Sequence, residues 1–254
     1  MRTNFHTHTA RCNHADGTDR EYVEAAIQKG IKVLGFSDHT PYPAFPDPTY
    51  YSYFRMRPEQ TADYCDSVLR LKEEYKNDID ILLGFEAEYY PEMFADLLDF
   101  LKEYPYDYLL LGQHCIGKEY TDNHWSSHPT KDADVLKRYV DQTIEGMQTG
   151  AFAYLCHPDL IHFKGEEDVY REQMARICET AQALDMPLEC NMLGYRDHRN
   201  YPNSRFFRLA AEYNCKIILG VDAHSPAEFS DPANNGVEAF LAACGVTNIV
   251  EDFR

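Results

Sequence analysis

No two of the chain's eight cysteines are spaced C-x-x-C. Neither a zinc knuckle nor a compact disulfide framework is therefore indicated, and the thiols are expected to be free. No apolar run approaches the roughly 20 residues that span a bilayer. The opening "MRTNFHTHT" also lacks the charged-then-apolar layout of a signal peptide. A soluble cytoplasmic protein is expected. Basic charge is scarce too: 24 Lys plus Arg stand against 42 Asp plus Glu, for a net charge of −18. That field repels a polyanion unless a local basic patch intervenes, so neither nucleic acid nor membrane is expected as a partner, and oligomeric state is left open. No compositional shift marks a linker. The 254 residues are normal for one α/β barrel, so a single domain over 1–254 is the expectation.

What the chain does contain is a recurring pattern. Seven short apolar runs end in polar residues: "TNFHTH", "KVLGFSDH", "DILLGFEAEY", "DYLLLGQH", "FAYLCHPD", "MPLECNM" and "KIILGVDAH". Helix-like stretches lie between most of them. "REYVEAAIQKG" has Gly30 as its stop, and "PEMFADLLDFLKEY" opens with Pro91 in the first turn. Apolar runs of this length between amphipathic helices suit parallel strands covered on the outside. The expectation is an α/β fold, a (β/α)7 TIM-like barrel or a distorted one. Residues 40–58, "TPYPAFPDPTYYSYFRMRP", are too long for a simple connection and rich in Pro and Tyr. They read either as an active-site lid or as an ordered loop held by tyrosine packing.

Parallel strands of a barrel end on one face, where residues far apart in sequence converge. The seven run ends and the first loop supply His6, His8, His14, His39, Glu86, His114, His157, Asp222 and His224, nine metal-competent side chains. Any one of these histidines alone reads as a hydrogen-bonded core residue; their joint placement reads as a metal centre. Asp16 and Asp38 neighbour them and are expected to orient imidazoles by hydrogen bonding. Cys115 and Cys156 adjoin histidines but read as small core residues. His124, His128, His162 and His198 fall outside the set.

These residues also carry a family resemblance. Through "HTH" at 6–8, "SDH" at 37–39, "GFEAEY" at 84–89, "GQH" at 112–114, "CHPD" at 156–159 and "DAH" at 222–224, the chain resembles the polymerase and histidinol phosphatase (PHP) family from end to end. Within it the wording "FRMRPEQTADYCDSVLRLKEEY" followed by "ILLGFEAEYYPE" is most similar to the stand-alone histidinol-phosphate phosphatases. The resemblance implies a distorted seven-stranded barrel with three divalent transition-metal ions, Zn, Fe or Mn. It implies His6, His8, Glu86 and Asp222 on one ion, with Glu86 bridging to a second held by His114 and His157, and His14, His39 and His224 on the third. The implied activity is hydrolysis of L-histidinol phosphate, a small phosphorylated metabolite of histidine biosynthesis. The expected route is in-line attack on phosphorus by a metal-bridging hydroxide, with Glu86, Asp222 and His224 as the catalytic residues. An anionic phosphate calls for fixed cations, and Arg196, followed by Lys164 and Arg199, is the candidate. Other readings stay open: a related phosphoesterase acting on another small monoester or phosphotyrosine, a metal-dependent amidohydrolase, and a non-catalytic metal-dependent sensor.

Overall fold

All seven apolar runs form strands. They are β1 (Thr3–Asn4), β2 (Val33–His39), β3 (Asp80–Ala87), β4 (Tyr108–Leu111), β5 (Tyr154–Leu155), β6 (Leu188–Asn191) and β7 (Ile217–Gly220) in the computed structural model. The structure describes residues 1–254 except Ala44, Pro46, Pro48 and Asn123; part of the expected lid, 40–58, thus lies outside the described residues. An eighth strand, β8 (Ile249–Val250), pairs parallel to β7. Its two residues are too few to stand out as an apolar run, so the expected count of seven becomes eight among the described residues. The strands follow chain order, β1 to β8, in one sheet. Between them come α1 (Asp19–Lys29), α2 (Thr61–Glu74), α3 (Phe94–Leu101), α4 (Glu119–Asp122), α5 (Ala133–Gln148), α6 (Glu167–Ala183), α7 (Met192–Arg196), α8 (Ser204–Glu212) and α9 (Val237–Ala243). The expected α/β class is present.

Contacts divide the chain into two compact units: Met1–Ala87 with Pro91–Leu110 and Val221–Pro232, and Glu88–Tyr90 with Leu111–Gly220 and Ala233–Arg254. In the first unit β3 pairs along the whole of β2, from Val33↔Asp80 to His39↔Glu86. This register brings His39 and Glu86 out side by side at the strand ends. Ile81 to Ala87 are buried without interruption, as befits a parallel strand covered on both faces. Tyr108 locks the interior: its hydroxyl donates to the carbonyls of Phe5 (2.7 Å) and Phe36 (3.0 Å). A Cβ on Gly84 would lie 2.5 Å from its ring, so the glycine provides the space the tyrosine fills. Thr18 caps α1 in a capping box with Glu21, and Gly30, the expected stop, closes it at φ 85°. The second expected helix starts later than Pro91. Residues 91–93 form a turn, and the first helical bond runs from Leu97 N to Met93 O.

In the second unit β5, β6, β7 and β8 pair in parallel. Helices α5 and α6 pack together. The buried positions of α6, Tyr170, Met174, Ile177, Cys178 and Ala181, recur at the spacing of one helical face. All eight cysteines are free and buried, as their spacing implies. No helix among the described residues is long and apolar enough to cross a membrane.

Candidate metal centre

Two strand ends meet in the first unit. Beyond β1 the chain bridges residues 221–224 in parallel through Thr7 and Ala223. His8 N donates to Ala223 O (2.9 Å), and Ala223 N donates to His6 O (3.2 Å). Alternation along the extended 6–8 segment turns His6 and His8 to a common side, whereas Asp222 sits at φ 51°, a left-handed backbone, just before the bridge at Ala223. Asn4 sets the junction: its amide donates to His6 O and Thr7 Oγ1, and its oxygen accepts from Val221 N (2.8 Å). Beyond the two residues of β1 the segment stays tied to β2, with Ser37 N donating to Thr7 O (2.8 Å).

The donor atoms that result are tightly spaced. His6 Nε2 and His8 Nε2 lie 3.1 Å apart. His6 Nε2 is 3.5 Å from Glu86 Oε2 and 3.4 Å from Asp222 Oδ1; His8 Nε2 is 3.5 Å and 3.1 Å from the same atoms. Bonds of about 2.0–2.2 Å from one divalent ion put neighbouring donors about 3.0–3.5 Å apart, so these four atoms have the spacing of ligands around one centre. A second group joins them. His39 Nδ1 is 3.1 Å from Glu86 Oε2, His14 Nε2 is 3.0 Å from His224 Nε2, and the His8 ring stacks on His224 at 4.2 Å. Donor atoms of His8, His39 and His224 all lie within 4.8 Å of one another, as do those of Cys12, His14 and His224.

Charge explains why this cluster suits cations. Burial, reinforced by the charge on His8, pushes the His224 pKa down to about 3 and lowers that of His14. Both rings therefore stay neutral with a lone pair to offer. Burial also opposes charge on His8, but hydrogen bonds with Asp222 and Asp38 outweigh it and hold His8 well above the usual imidazole range. Asp222 is held well below the carboxylate range: burial works against it, and His6, His8 and His224 overcome that opposition. Asp222 thus offers ionised oxygen and His14 and His224 neutral nitrogen, donors that borderline divalent ions take, whereas His8 must release its proton before it can bind one. Asp38 lies beside the imidazoles, with Oδ1 3.5 Å from His8 Nδ1 and accepting from the backbone N–H of His39 (2.8 Å). Asp16 instead acts through its backbone, its N–H donating to His224 O (2.9 Å).

In the second unit His114 and His157 lie with ring centroids 4.9 Å apart. His114 Nδ1 donates to Oε1 of Glu88 (2.8 Å), which is buried. Because a carboxylate only accepts, the bond leaves the Nε2 lone pair of a neutral His114 available. Of the expected phosphate-binding cations, Arg199 already grips Asp197 Oδ2 through Nε (3.1 Å) and Nη2 (2.8 Å). Lys164 is exposed. Arg196 ends α7 half-buried and donates to the neutral amide oxygen of Asn234 (3.3 Å).

Three residues escaped the sequence reading. Glu88 follows Glu86 by two positions in "GFEAEY", so the alternation that flagged one carboxylate was also available for the other. Glu189 is a fully buried carboxylate inside "MPLECNM", and its signal is the acid within an otherwise apolar run. Cys12 joins His14 in "RCNH", but burial and the charge on Asp38 raise its thiol pKa, which makes it a poorer donor than the imidazoles.

Residues 4–193 match the PHP domain family. The chain is 31% identical to a "probable histidinol-phosphatase" of Deinococcus radiodurans, over 88% of this chain and 86% of that protein. It is 26% identical to a Schizosaccharomyces pombe protein of the same name, over 98% and 89%. A crystal structure of the histidinol phosphate phosphatase from Lactococcus lactis, complexed with zinc, L-histidinol and phosphate, superposes with a TM-score of 0.72 at 17% identity, covering 98% of this chain and 95% of that one. At that identity the likeness shows a shared fold.

Proposed function

The chain belongs to the PHP domain family, and from that premise we propose that residues 1–254 act as one metal-dependent phosphomonoesterase domain hydrolysing L-histidinol phosphate to L-histidinol and phosphate, a step of histidine biosynthesis. The observation that carries this reading is the spacing of His6, His8, Glu86 and Asp222, whose facing atoms lie 3.1–3.5 Å apart. The named relative in Deinococcus radiodurans, 31% identical over most of both chains, supports the choice of substrate.

His6, His8, Glu86 and Asp222 would hold one divalent ion, and His14, His39 and His224 another; His114 and His157 are proposed as further ligands, for up to three ions of Zn, Fe or Mn. Ions bound there would lower the pKa of water, bind phosphoryl oxygens and offset charge on the leaving oxygen. The protein's own part is positioning. Asp38 flanks His8 at 3.5 Å, and Glu88 fixes the His114 tautomer. Glu86, Asp222 and His224 are the residues proposed nearest the chemistry. Arg196 is proposed to clamp the substrate phosphate, because a guanidinium directly after β6 can present two parallel N–H donors to phosphoryl oxygens. The proposed place of action is the cytoplasm, a reducing compartment that suits eight free thiols.

The test is phosphate release from L-histidinol phosphate beside a panel of small phosphomonoesters and phosphotyrosine. The reading expects histidinol phosphate to give the highest kcat/KM. A clear preference for another monoester would keep the phosphoesterase and overturn the substrate.

A further inference from the structure

His157 holds an uncommon backbone state, with φ at +28°. A residue with a Cβ stays there only where its surroundings hold it. Two hydrogen bonds do so: its N–H donates to Glu189 Oε2 (3.1 Å), and its carbonyl accepts from Leu160 N (2.9 Å). Glu189, on β6, also accepts from Asn191 Nδ2 on the same oxygen (2.9 Å) and has Tyr154 Oη 3.5 Å from Oε1. A buried carboxylate is costly unless hydrogen bonds compensate it, so this one is placed with care. Space for it comes from the neighbouring strand. At Gly220, the last residue of β7, an added Cβ would lie 2.6 Å from Glu189 Cδ and closer still to Oε1. Gly220 is not among the glycines of positive φ, so the demand there is for room and not for a left-handed backbone.

We propose that Glu189 is the positioning residue for His157, and that glycine at 220 is what admits it. Three successive strands then cooperate: β7 leaves the gap, β6 fills it with a carboxylate, and the carboxylate holds the backbone just beyond β5. This rests on the reading of His157 as a metal ligand. A group that fixes a ligand before the ion arrives contributes through affinity, and removing such a partner weakens metal binding by about 10–100-fold. The hydrogen bonds can be separated from the charge. Glu189→Gln keeps an oxygen able to accept from His157 N and Asn191, whereas Glu189→Ala keeps none.

The experiment uses the full chain as Glu189→Gln, Glu189→Ala, Gly220→Ala, the Gly220→Ala/Glu189→Ala double variant, and His157→Ala as reference. Zinc affinity is read by chelator competition, and the His157 backbone amide proton by NMR on metal-free protein. Glu189→Ala is expected to shift that amide upfield and to weaken, by about 10–100-fold, the ion that His157→Ala loses. Glu189→Gln should recover most of both. Gly220→Ala should resemble Glu189→Ala yet add nothing in its presence, because its clash partner is then absent. Additive effects of the two substitutions, or an unmoved His157 amide in Glu189→Ala, would overturn the proposal; should Glu189→Ala not fold, Gly220→Ala and Glu189→Gln carry the amide comparison alone. If His157→Ala keeps the wild-type zinc content, the ligand reading of His157 falls, and the amide shift still decides whether Glu189 holds it.

Discussion

His8 is surrounded by imidazoles, with the rings of His39 and His224 within 4.4 Å and 4.2 Å, whereas His114 and His157 are each held by a carboxylate of their own, Glu88 and Glu189. In the first unit, strand register, secured at the junction by Asn4, does most of the positioning: pairing of His39 with Glu86, and of Thr7 with Ala223, brings the donors together. In the second, side-chain hydrogen bonds do it. The difference predicts where each region is fragile. A donor set by register is lost when the donor itself is replaced, while a donor set by a carboxylate is also lost when a residue that carries no metal is changed.

The most damaging single change is expected at Glu86, whose Oε2 lies within 3.5 Å of His6, His8 and His39. Glu86→Gln removes a charge that faces several donors at once. It should deplete two ions together and lower phosphate release by more than the roughly 10–100-fold typical of losing an outer partner. Elemental analysis and turnover on one sample check it. His39→Ala should cost less, emptying mainly the ion shared with His14 and His224 and leaving residual turnover. Equal metal loss in the two variants would erase the distinction between a shared oxygen and a single imidazole. Glu88→Gln sharpens the other side of the comparison. Metal affinity at His114 should fall by about 10–100-fold, while the zinc content owed to the first unit stays intact. The smallest effect is expected from Arg196→Ala, which should raise KM and weaken inhibition by free phosphate with metal content unchanged. Wild-type values for both would place the phosphate clamp elsewhere.

The same contrast explains what could be read from the sequence. H-x-H at 6–8 follows from alternation in extended chain, and the apolar runs before it and before D-x-H at 222–224 mark the strands, so these candidate donors were legible by position, although nothing in "DAH" signals the positive φ of Asp222. His114 and His157 were also legible as polar residues at run ends. Their supports were harder to find. Nothing in "CHPD" signals that His157 takes a positive φ, because that state depends on Glu189, some thirty residues later, and on space at Gly220. Glu189 itself passed as part of a strand, since periodicity records burial and does not record what a buried carboxylate accepts. The strand β8 was missed because two residues, paired with β7, leave no periodic trace. The late start of α3 has a similar cause: Pro91 suits a first helical turn and suits the turn it actually forms equally well.

The account stands on the cluster of the first unit being a metal centre that serves phosphoester hydrolysis. Stripping the protein of metal and restoring zinc or manganese in counted equivalents, while following phosphate release from L-histidinol phosphate, tests this most directly. Release should be absent from the stripped protein and should rise with added ion until the donor set is filled, at up to three equivalents per chain. Full activity in the stripped protein, with no ion detected on the same sample, would contradict it.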